Sequence, residues 1–197
     1  MDVSAARERQ GEAPATRPGL SHTPKIRRAR EDELGEIAAL FPPALAPYRG
    51  TSADAALDGY LHELVDGVRS RWEGGECYVA VTAGRIVGSV VFYDDVTLEG
   101  WSNLPAGWAG FRALVVDPEA RGAGIGRGLV ERCLARARET GARVVGIHSA
   151  EVLSDAVRLY ERLGFVRCPE YDLSAAVAFP VDTADDVAAI AFRYDLS

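Results

Sequence analysis

The sequence predicts a single domain of mixed α/β class, with about six to seven strands and about four helices. Runs rich in β-branched and aromatic residues alternate along the chain with segments whose apolar residues recur at helical spacing. There is no internal repeat and no second set of core elements. A length of 197 residues with 48% apolar composition suits one sizeable hydrophobic core.

Residues 1–23 differ in composition from the rest of the chain. They mix Pro, Gly, Arg, Glu and small residues, with no aromatic residue and almost no large aliphatic one. Such a segment lacks the apolar surface that offsets the entropy of ordering. We expect a disordered N-terminal tail over 1–23 and a folded domain over 24–197.

The sequence of the first half of the domain predicts a strand, two helices and a hairpin. KIRRAR alternates weakly like a strand, and the amphipathic helix after it is expected to end at Pro42 and Pro43. A second helix is predicted over 54–73, where large apolar residues recur at i, i+3 and i+4. ECYVAVT and RIVGSVVFY then form a hairpin around an Ala-Gly turn.

Residues 94–110 are too rich in Gly, Pro and Asp for one regular element, yet they carry Trp101 and Trp108. A long loop with two large aromatics either lines a binding cleft or is pinned by them to the core. The sequence leaves both interpretations open.

The second half of the domain predicts strand, helix, strand, helix and two strands. FRALVVD is almost continuously apolar, which is typical of a central strand. The elements that follow it are predicted at 124–141 (helix), 143–149 (strand), 155–164 (helix), 165–173 (strand) and 187–196 (strand).

Composition and charge argue against several classes of function. The net charge is −7 and the pI about 5.0, so bulk attraction to nucleic acid or an anionic membrane is not expected, whereas a cationic amine fits. Cys77, Cys133 and Cys168 are scattered without metal-ligand spacing, which predicts no metal and suits a reducing cytoplasm. No apolar run approaches the ~20 residues that span a bilayer, so we expect a cytoplasmic protein.

The sharpest local motif is a glycine turn directly after the FRALVVD strand. Gly122, Gly124 and Gly126 open a predicted helix, and Arg121 and Arg127 flank them. Glycine leaves backbone amides uncovered, and the amides and dipole of a helix start favour an anion such as phosphate. Arginine adds charge-assisted hydrogen bonds to phosphate oxygens. The pattern predicts a phosphate site rather than merely a tight turn.

Two other phosphate-binding motifs do not fit this turn. A Walker loop requires Gly-Lys-Ser/Thr, whereas Gly126 is followed by Arg127 and Gly128. The Rossmann fingerprint requires glycine where Arg127 stands, and Glu151, the nearest acidic residue after the next strand, lies too far along.

The turn and a downstream helix resemble two signatures of the GCN5-related N-acetyltransferase (GNAT) superfamily. Arg121, Gly124 and Gly126 match its pyrophosphate loop, Arg/Gln-x-x-Gly-x-Gly/Ala, and AVRLYERLGF at 156–165 matches its Tyr-bearing helix. The spacing of the two motifs also fits, and the element order is similar to the family fold over roughly 24–197. The resemblance implies a twisted, mostly antiparallel sheet whose splayed central strands hold CoA.

The resemblance also implies an acetyl-CoA-dependent N-acetyltransferase that acts on a primary amine without a metal. Tyr160 matches the general acid that protonates the CoA thiolate, although a tyrosine on an apolar helix face is usually a core residue. A backbone N–H near Val116 is implied to hold the oxyanion. The residues implied to bind CoA are Leu114, Val115, Val116, Arg121, Gly122, Ala123, Gly124, Ile125, Gly126 and Arg127.

The general base stays open, because relatives often carry a Glu on the strand before the loop and FRALVVD has none. His148 is a candidate because imidazole titrates in the useful range, and Asp95, Glu99 and Glu151 are others. Proton loss through water is an equal alternative. The missing Glu also favours an alternative function, a non-catalytic acyl-CoA-binding or regulatory module.

The helix of the second motif departs from the family at its start. Leu153 stands where relatives often have Asn, which leaves Ser154 or Asp155 to cap the helix. The acceptor, an amine on a small molecule, peptide or protein, depends on segments without a recognisable signature, among them 94–110 and 174–187. Dimers are common among similar proteins, so a homodimer is also an open expectation.

Overall fold

The computed structural model of the chain describes residues 24–50, 54–100, 102–174 and 188–196. The predicted tail at 1–23 lies outside the described residues, as do Trp101 and most of the 174–187 segment. The described strands are β1 Lys25–Arg28, β2 Glu76–Thr82, β3 Arg85–Tyr93, β4 Ala109–Val116, β5 Val144–Ala150, β6 Val166–Arg167, β7 Leu173–Ser174 and β8 Ala188–Asp195. The described α-helices are α1 Leu34–Leu45, α2 Asp54–Asp66, α3 Val68–Gly74, α4 Ile125–Glu139 and α5 Ser154–Leu163.

All of these strands belong to one eight-stranded sheet in the order β1-β2-β3-β4-β5-β8-β6, with β7 also paired to β8. The pairing is antiparallel throughout except between β4 and β5, which run parallel. The predicted hairpin of β2 and β3 turns at Ala83 and Gly84, which have φ of 50° and 79°. The mixed α/β fold with a mostly antiparallel sheet is therefore confirmed.

The helices cover the two faces of the sheet and create two hydrophobic cores. On one face α4 and α5 pack over a cluster that includes Phe111, Leu129 and Phe192. On the other face α1 and α2 pack over a cluster that includes Phe41 and Leu64. Each helix buries an apolar stripe against the sheet, as the helical spacing of its apolar residues predicts.

The first helix does not end at the two prolines, so that prediction was wrong. α1 contains Pro42 and Pro43 and continues to Leu45, and the N–H of Ala46 donates to the carbonyl of Pro42. A proline removes only its own N–H donor, while its carbonyl still accepts a hydrogen bond. Burial of Leu45 against the sheet holds the last turn in place.

The single helix predicted over 54–73 is two helices, α2 and α3, that meet at Gly67. The Arg71 side chain crosses this glycine to reach the carbonyl oxygens of Glu63 and Leu64. A Cβ at residue 67 would lie 2.5 Å from Arg71 Nη1. The two helices thus meet where the Arg71 side chain packs closely on Gly67, a contact that the periodicity of apolar residues does not indicate.

The strand predicted over 165–173 is also interrupted. It consists of β6 and β7 with a short 3₁₀ helix, Pro169–Tyr171, between them. Proline cannot donate to a β-ladder, so Pro169 ends the pairing of β6 with β8. None of the described helices is long and apolar enough to cross a membrane.

Candidate active site

Strands β4 and β5 pair at only two positions and then separate. Ala109 pairs with Val145, and Gly110 pairs with Gly146. A Cβ on Gly110 would lie 2.7 Å from the Gly146 carbonyl oxygen, and one on Gly146 would lie 2.8 Å from Trp108 Cε3. Glycine is therefore required where the strands are closest, and the gap between them opens from this point.

Strand β4 carries a bulge beside the gap. The pairing with β3 shifts register between Val91↔Arg112 and Ser89↔Val115, and Ala113, inside the shift, has φ of 54°. A non-glycine residue in this region costs about 1–3 kcal/mol of strain, and such strain concentrates at functional sites.

The backbone of β4 presents free hydrogen-bonding groups to the gap. The Asp117 N–H donates to the Val87 carbonyl, 2.9 Å away, so odd-numbered residues at this end of β4 face β3. Because alternate residues of a strand direct their N–H and C=O groups to opposite sides, those of Leu114 and Val116 face the gap. An extended ligand can pair with them as an added strand would.

The predicted glycine turn lies at the far end of the gap, where α4 begins. Gly122 and Gly124 have φ of 82° and 75°, and a Cβ on either would meet nothing within 4 Å, so the surface of the turn is open. Among the described residues, no backbone carbonyl accepts a bond from the amides of 122–127. Open amides at a helix start form an anion site.

A cleft of about 370 Å³ joins the gap to the turn, between α1 and α2 on one side and α5 on the other. Eight of the ten predicted CoA-binding residues line it: Leu114, Val115, Val116, Arg121, Gly122, Gly124, Ile125 and Gly126. Ala123 is not among the lining residues. Cleft residues that the sequence did not identify are Phe41, Ala44, Leu45, Tyr48, Tyr60, Leu64, Ala120, Leu153, Asp155, Ala156, Arg158, Leu159 and Arg162.

The two arginines that flank the glycine turn point in different directions. Arg121 lines the cleft and donates to the Ala44 carbonyl, 2.9 Å away at the end of α1. Arg127 points away from the cleft and pairs with Glu131 at 2.7 Å, along the exposed side of α4. Of these two arginines, only Arg121 places its guanidinium in the cleft.

Helix α5 supplies further charge to the cleft. Arg158 and Arg162, one turn apart, line it together with Asp155. The Asp155 carboxylate accepts from the Tyr48 hydroxyl at 2.9 Å, and this bond, followed by the pairing with Arg158, lowers its pKa. The lining residues thus include three arginines and one aspartate, which makes this part of the cleft positive in a chain whose net charge is −7.

Tyr160 belongs to the aromatic core between α5 and the sheet. Its ring centroid lies 5.9 Å from that of Phe111 and 5.7 Å from that of Phe165. Burial raises the pKa of Tyr160, and the nearby Tyr60 hydroxyl raises it further. Tyr60 packs on the opposite face of the sheet and lines the cleft, whereas Tyr160 is buried and is not among the lining residues.

Residues 73–167 match the family model for the acetyltransferase (GNAT) domain. The chain contains a GNAT domain. It superimposes on an N-acetyltransferase from Staphylococcus aureus Mu50 with a TM-score of 0.60 at 18% identity, over 89% of this chain and 100% of that one. A GNAT family acetyltransferase from Brucella melitensis, solved in complex with acetyl-CoA, gives a TM-score of 0.54 at 25% identity, over 74% and 84%.

The GNAT domain also matches a curated relative over a short segment. Mycothiol acetyltransferase of Thermobispora bispora is 50% identical over 52 residues, which cover 26% of this chain. The match spans only 18% of the length of that relative.

His148, a candidate base, lies on β5 of the GNAT domain with its ring largely buried. Its Nε2 is 2.9 Å from the Tyr171 carbonyl oxygen, which can only accept, so Nε2 carries the proton. Burial lowers the pKa of His148, which favours the neutral ring at pH 7. Trp108 packs edge-on against Tyr171, with ring centroids 5.7 Å apart, and so pins its loop to the core.

An ion network that the sequence did not predict lies beside the gap of the GNAT domain. The two Glu63 oxygens accept from Arg71 Nη1 at 2.7 Å and from Arg112 Nη2 at 2.9 Å. Both arginine side chains are almost fully buried, whereas Glu63 is one-third exposed. We call Glu63, Arg71 and Arg112 the Glu63 network. It joins α2, α3 and β4.

The predicted caps of α5 are absent. Leu153 is the N-cap residue and makes no side-chain cap bond, while the Asp155 carboxylate bonds Tyr48 instead. Leu153 lines the cleft with its apolar side chain. Among the described residues, no group of three or more His, Cys, Asp or Glu side chains could hold a metal ion.

Proposed function

We propose that this GNAT domain binds acetyl-CoA and transfers its acetyl group to a primary amine, by direct attack while both substrates are bound. One observation carries the proposal: the gap between β4 and β5 continues as a cleft that ends at the open glycine turn. The acetyl-CoA complex of the Brucella melitensis acetyltransferase supports the choice of ligand.

The residues of the cleft fit the chemical parts of acetyl-CoA. The free backbone groups of Leu114 and Val116 suit the amides of a pantetheine arm, which pair as strands do. The amides of 122–127 suit the pyrophosphate. Arg121, Arg158 and Arg162 supply charge-assisted hydrogen bonds for the remaining phosphate oxygens.

The chemistry requires orientation of the two substrates, stabilisation of the oxyanion and a proton for the departing sulfur. The N–H of Val116, free on the gap side, is the proposed oxyanion donor. Tyr160 is the proposed acid, because its raised pKa keeps the hydroxyl protonated at pH 7.

We propose the acceptor only as a primary amine on a small molecule, peptide or protein. The curated relatives are mycothiol acetyltransferases, but a match over 18% of their length carries no acceptor with it. We also propose a cytoplasmic location and a homodimer.

Acetyl-CoA binding is tested by thermal unfolding of the whole chain. At a hundredfold excess over Kd, a ligand stabilises the folded state by about 2.7 kcal/mol. For a domain of this size that raises the Tm by about 5–10 °C. Gly124→Glu should abolish the rise, because it places a carboxylate where the pyrophosphate is expected.

Gly141→Glu is the matched control for this test. Gly141 also has a positive φ, 81°, and open space around its Cβ position, but it lies at the other end of α4. The strain and added charge are therefore alike, and the rise in Tm with acetyl-CoA should persist. No rise for the unaltered chain at millimolar acetyl-CoA contradicts the proposal. A rise without thiol release in a broad screen of amines favours the non-catalytic alternative.

A further inference from the structure

The GNAT domain lacks a carboxylate on β4, yet the carboxylate of Glu99 reaches the point where β4 and β5 separate. Glu99 ends a short 3₁₀ helix, Val96–Glu99, in the loop between β3 and β4. Its Oε1 lies 3.4 Å from the position that a Cβ on Gly110 would occupy. Gly110 is the last residue of β4 that pairs with β5.

The position of Glu99 follows from the packing of its loop. Val96 is fully buried, and its Cγ1 lies 2.5 Å from the Cβ position of Gly110, so the 3₁₀ helix sits directly on the start of β4. The Asp95 carboxylate accepts from the N–H groups of Thr97 and Gly107 and fixes the two ends of the loop together. A loop that is packed and capped in this way can hold a side chain at a defined place.

Glu99 differs from the other carboxylates of this region in its hydrogen bonds and ion pairs. Among the described residues, no hydrogen bond or ion pair engages Glu99, whereas Asp95 caps its loop and both Glu63 oxygens bond arginines. Glu151, the remaining carboxylate candidate for the base, is exposed beyond the end of β5. An acceptor amine can therefore bond Glu99 without displacing a partner.

The surroundings of Glu99 place it opposite Tyr160 across the sheet. Glu99 lies near Arg112, which belongs to the Glu63 network, on the face covered by α2. Tyr160 lies on the face covered by α5, beside Phe111, the residue next to Gly110. The two groups flank the same end of the gap from opposite faces.

We propose that Glu99 is the general base that accepts the proton of the acceptor ammonium ion, and that the acceptor enters from the α2 face. This rests on the proposed acetyl transfer. Glu99 takes one ammonium proton, the amine lone pair forms the N–C bond, and the C–S electron pair leaves with sulfur. Sulfur takes the Tyr160 proton, Tyr160 regains one from the new amide nitrogen, and the Glu99 proton goes to solvent.

The charged groups around Glu99 set its titration. Burial raises its pKa to about 7, Glu63 of α2 contributes in the same direction, and Arg112 of β4 opposes them. Tyr60 of α2 and Tyr93 of β3 also interact with Glu99, and the pKa of each is itself raised by burial, so both are neutral near pH 7. Such a carboxylate changes between acid and base forms near neutral pH, as general bases do.

The test measures acetyl transfer to two small acceptors by each enzyme variant. Release of the free CoA thiol is the signal. Ethylamine is an ammonium ion at pH 7 and needs a base, whereas hydroxylamine is neutral at that pH and does not. Glu99→Gln should lower kcat/KM for ethylamine by about 10²–10⁴-fold and leave kcat/KM for hydroxylamine within about threefold. Glu36→Gln, at an exposed carboxylate on α1, is the control and should change neither.

The pH profile gives an independent readout. With ethylamine, kcat/KM of the unaltered enzyme should rise with pH to a plateau above about 7, as Glu99 ionises. In Glu99→Gln the rate should instead keep rising toward the pKa of the amine, about 10, because only the free amine then reacts.

Four outcomes overturn the assignment of Glu99. They are no loss with ethylamine, equal loss with both acceptors, a larger selective loss for His148→Gln than for Glu99→Gln, and transfer to neither amine by a chain that acetyl-CoA still stabilises. Absence of that stabilisation is a separate result and refutes the proposed function itself.

Discussion

The guanidinium of Arg121 donates a hydrogen bond to the carbonyl oxygen of Ala44, 2.9 Å away across the cleft. The carbonyls of the last helical turn have no partner within the helix, so Arg121 satisfies one of them at the end of α1. Its second nitrogen lies 3.7 Å from the Asp155 carboxylate of α5. A single side chain thus connects the glycine turn to the helices on both sides of the proposed phosphate site.

Arg121→Ala is expected to weaken acetyl-CoA binding more than Arg127→Ala does. Removing the cleft guanidinium removes a hydrogen bond to a charged group, worth about 1.5–3 kcal/mol, which corresponds to a Kd at least about tenfold higher. Arg127 pairs with Glu131 away from the cleft, so its loss should change Kd by less than about threefold. Isothermal titration calorimetry measures both, and equal effects would show that the two side chains have the same role.

Tyr160→Phe is expected to lower kcat by about 100-fold or more, in line with loss of a general acid, and to leave Kd for acetyl-CoA almost unchanged. The ring stays, so its packing with Phe111 and Phe165 and hence the Tm should be preserved. Tyr194→Phe is the matched control, since that ring also packs on Phe165 but belongs to β8. Thiol-release kinetics with ethylamine provide the measurement, and an unchanged kcat removes the acid role.

The parts of the site that could be predicted from the sequence are the local ones. The glycine turn follows from three glycines within five residues, and the strand before it from a continuous apolar run. Both features are encoded by neighbours in the chain, because a turn needs particular backbone conformations and a central strand needs apolar side chains.

The Glu63 network could not be predicted, because its members are far apart in the chain. Glu63 and Arg112 are 49 residues apart and meet only when α2 packs on the sheet. A charged residue within a predicted helix is normally expected to be exposed, yet the Arg71 side chain is only 5% exposed. The helical spacing of apolar residues indicates which face of a helix is buried, but it does not indicate buried ion pairs.

The position of the Glu99 side chain could not be predicted for a similar reason. Residues 94–110 have no periodicity, so the sequence leaves the direction of every side chain in the loop open. The direction is set by the burial of Val96 and the Asp95 cap. Gly110, where a side chain would clash with Val96, is the one local sign of the close packing that brings the loop to β4.

Gly67→Ala is expected to destabilise the fold by about 2–3 kcal/mol, the range of a steric clash with buried atoms. The new Cβ would lie 2.5 Å from Arg71 Nη1 and 2.8 Å from the Glu63 carbonyl oxygen, which is fixed backbone. Arg71 would have to leave its place, and its buried charge would lose the carboxylate that compensates it. The Tm should fall by about 5–10 °C.

Gly35→Ala is the matched substitution in a helix without such a contact. Gly35 lies in the first turn of α1, is exposed, and has no atom within 4 Å of its Cβ position. Alanine restricts the unfolded chain and favours the helix, so this change should stabilise the fold by about 0.4–1 kcal/mol. Differential scanning calorimetry should therefore show Tm shifts of opposite sign for the two variants. Stabilisation by both substitutions would mean that Arg71 does not cross residue 67 in solution.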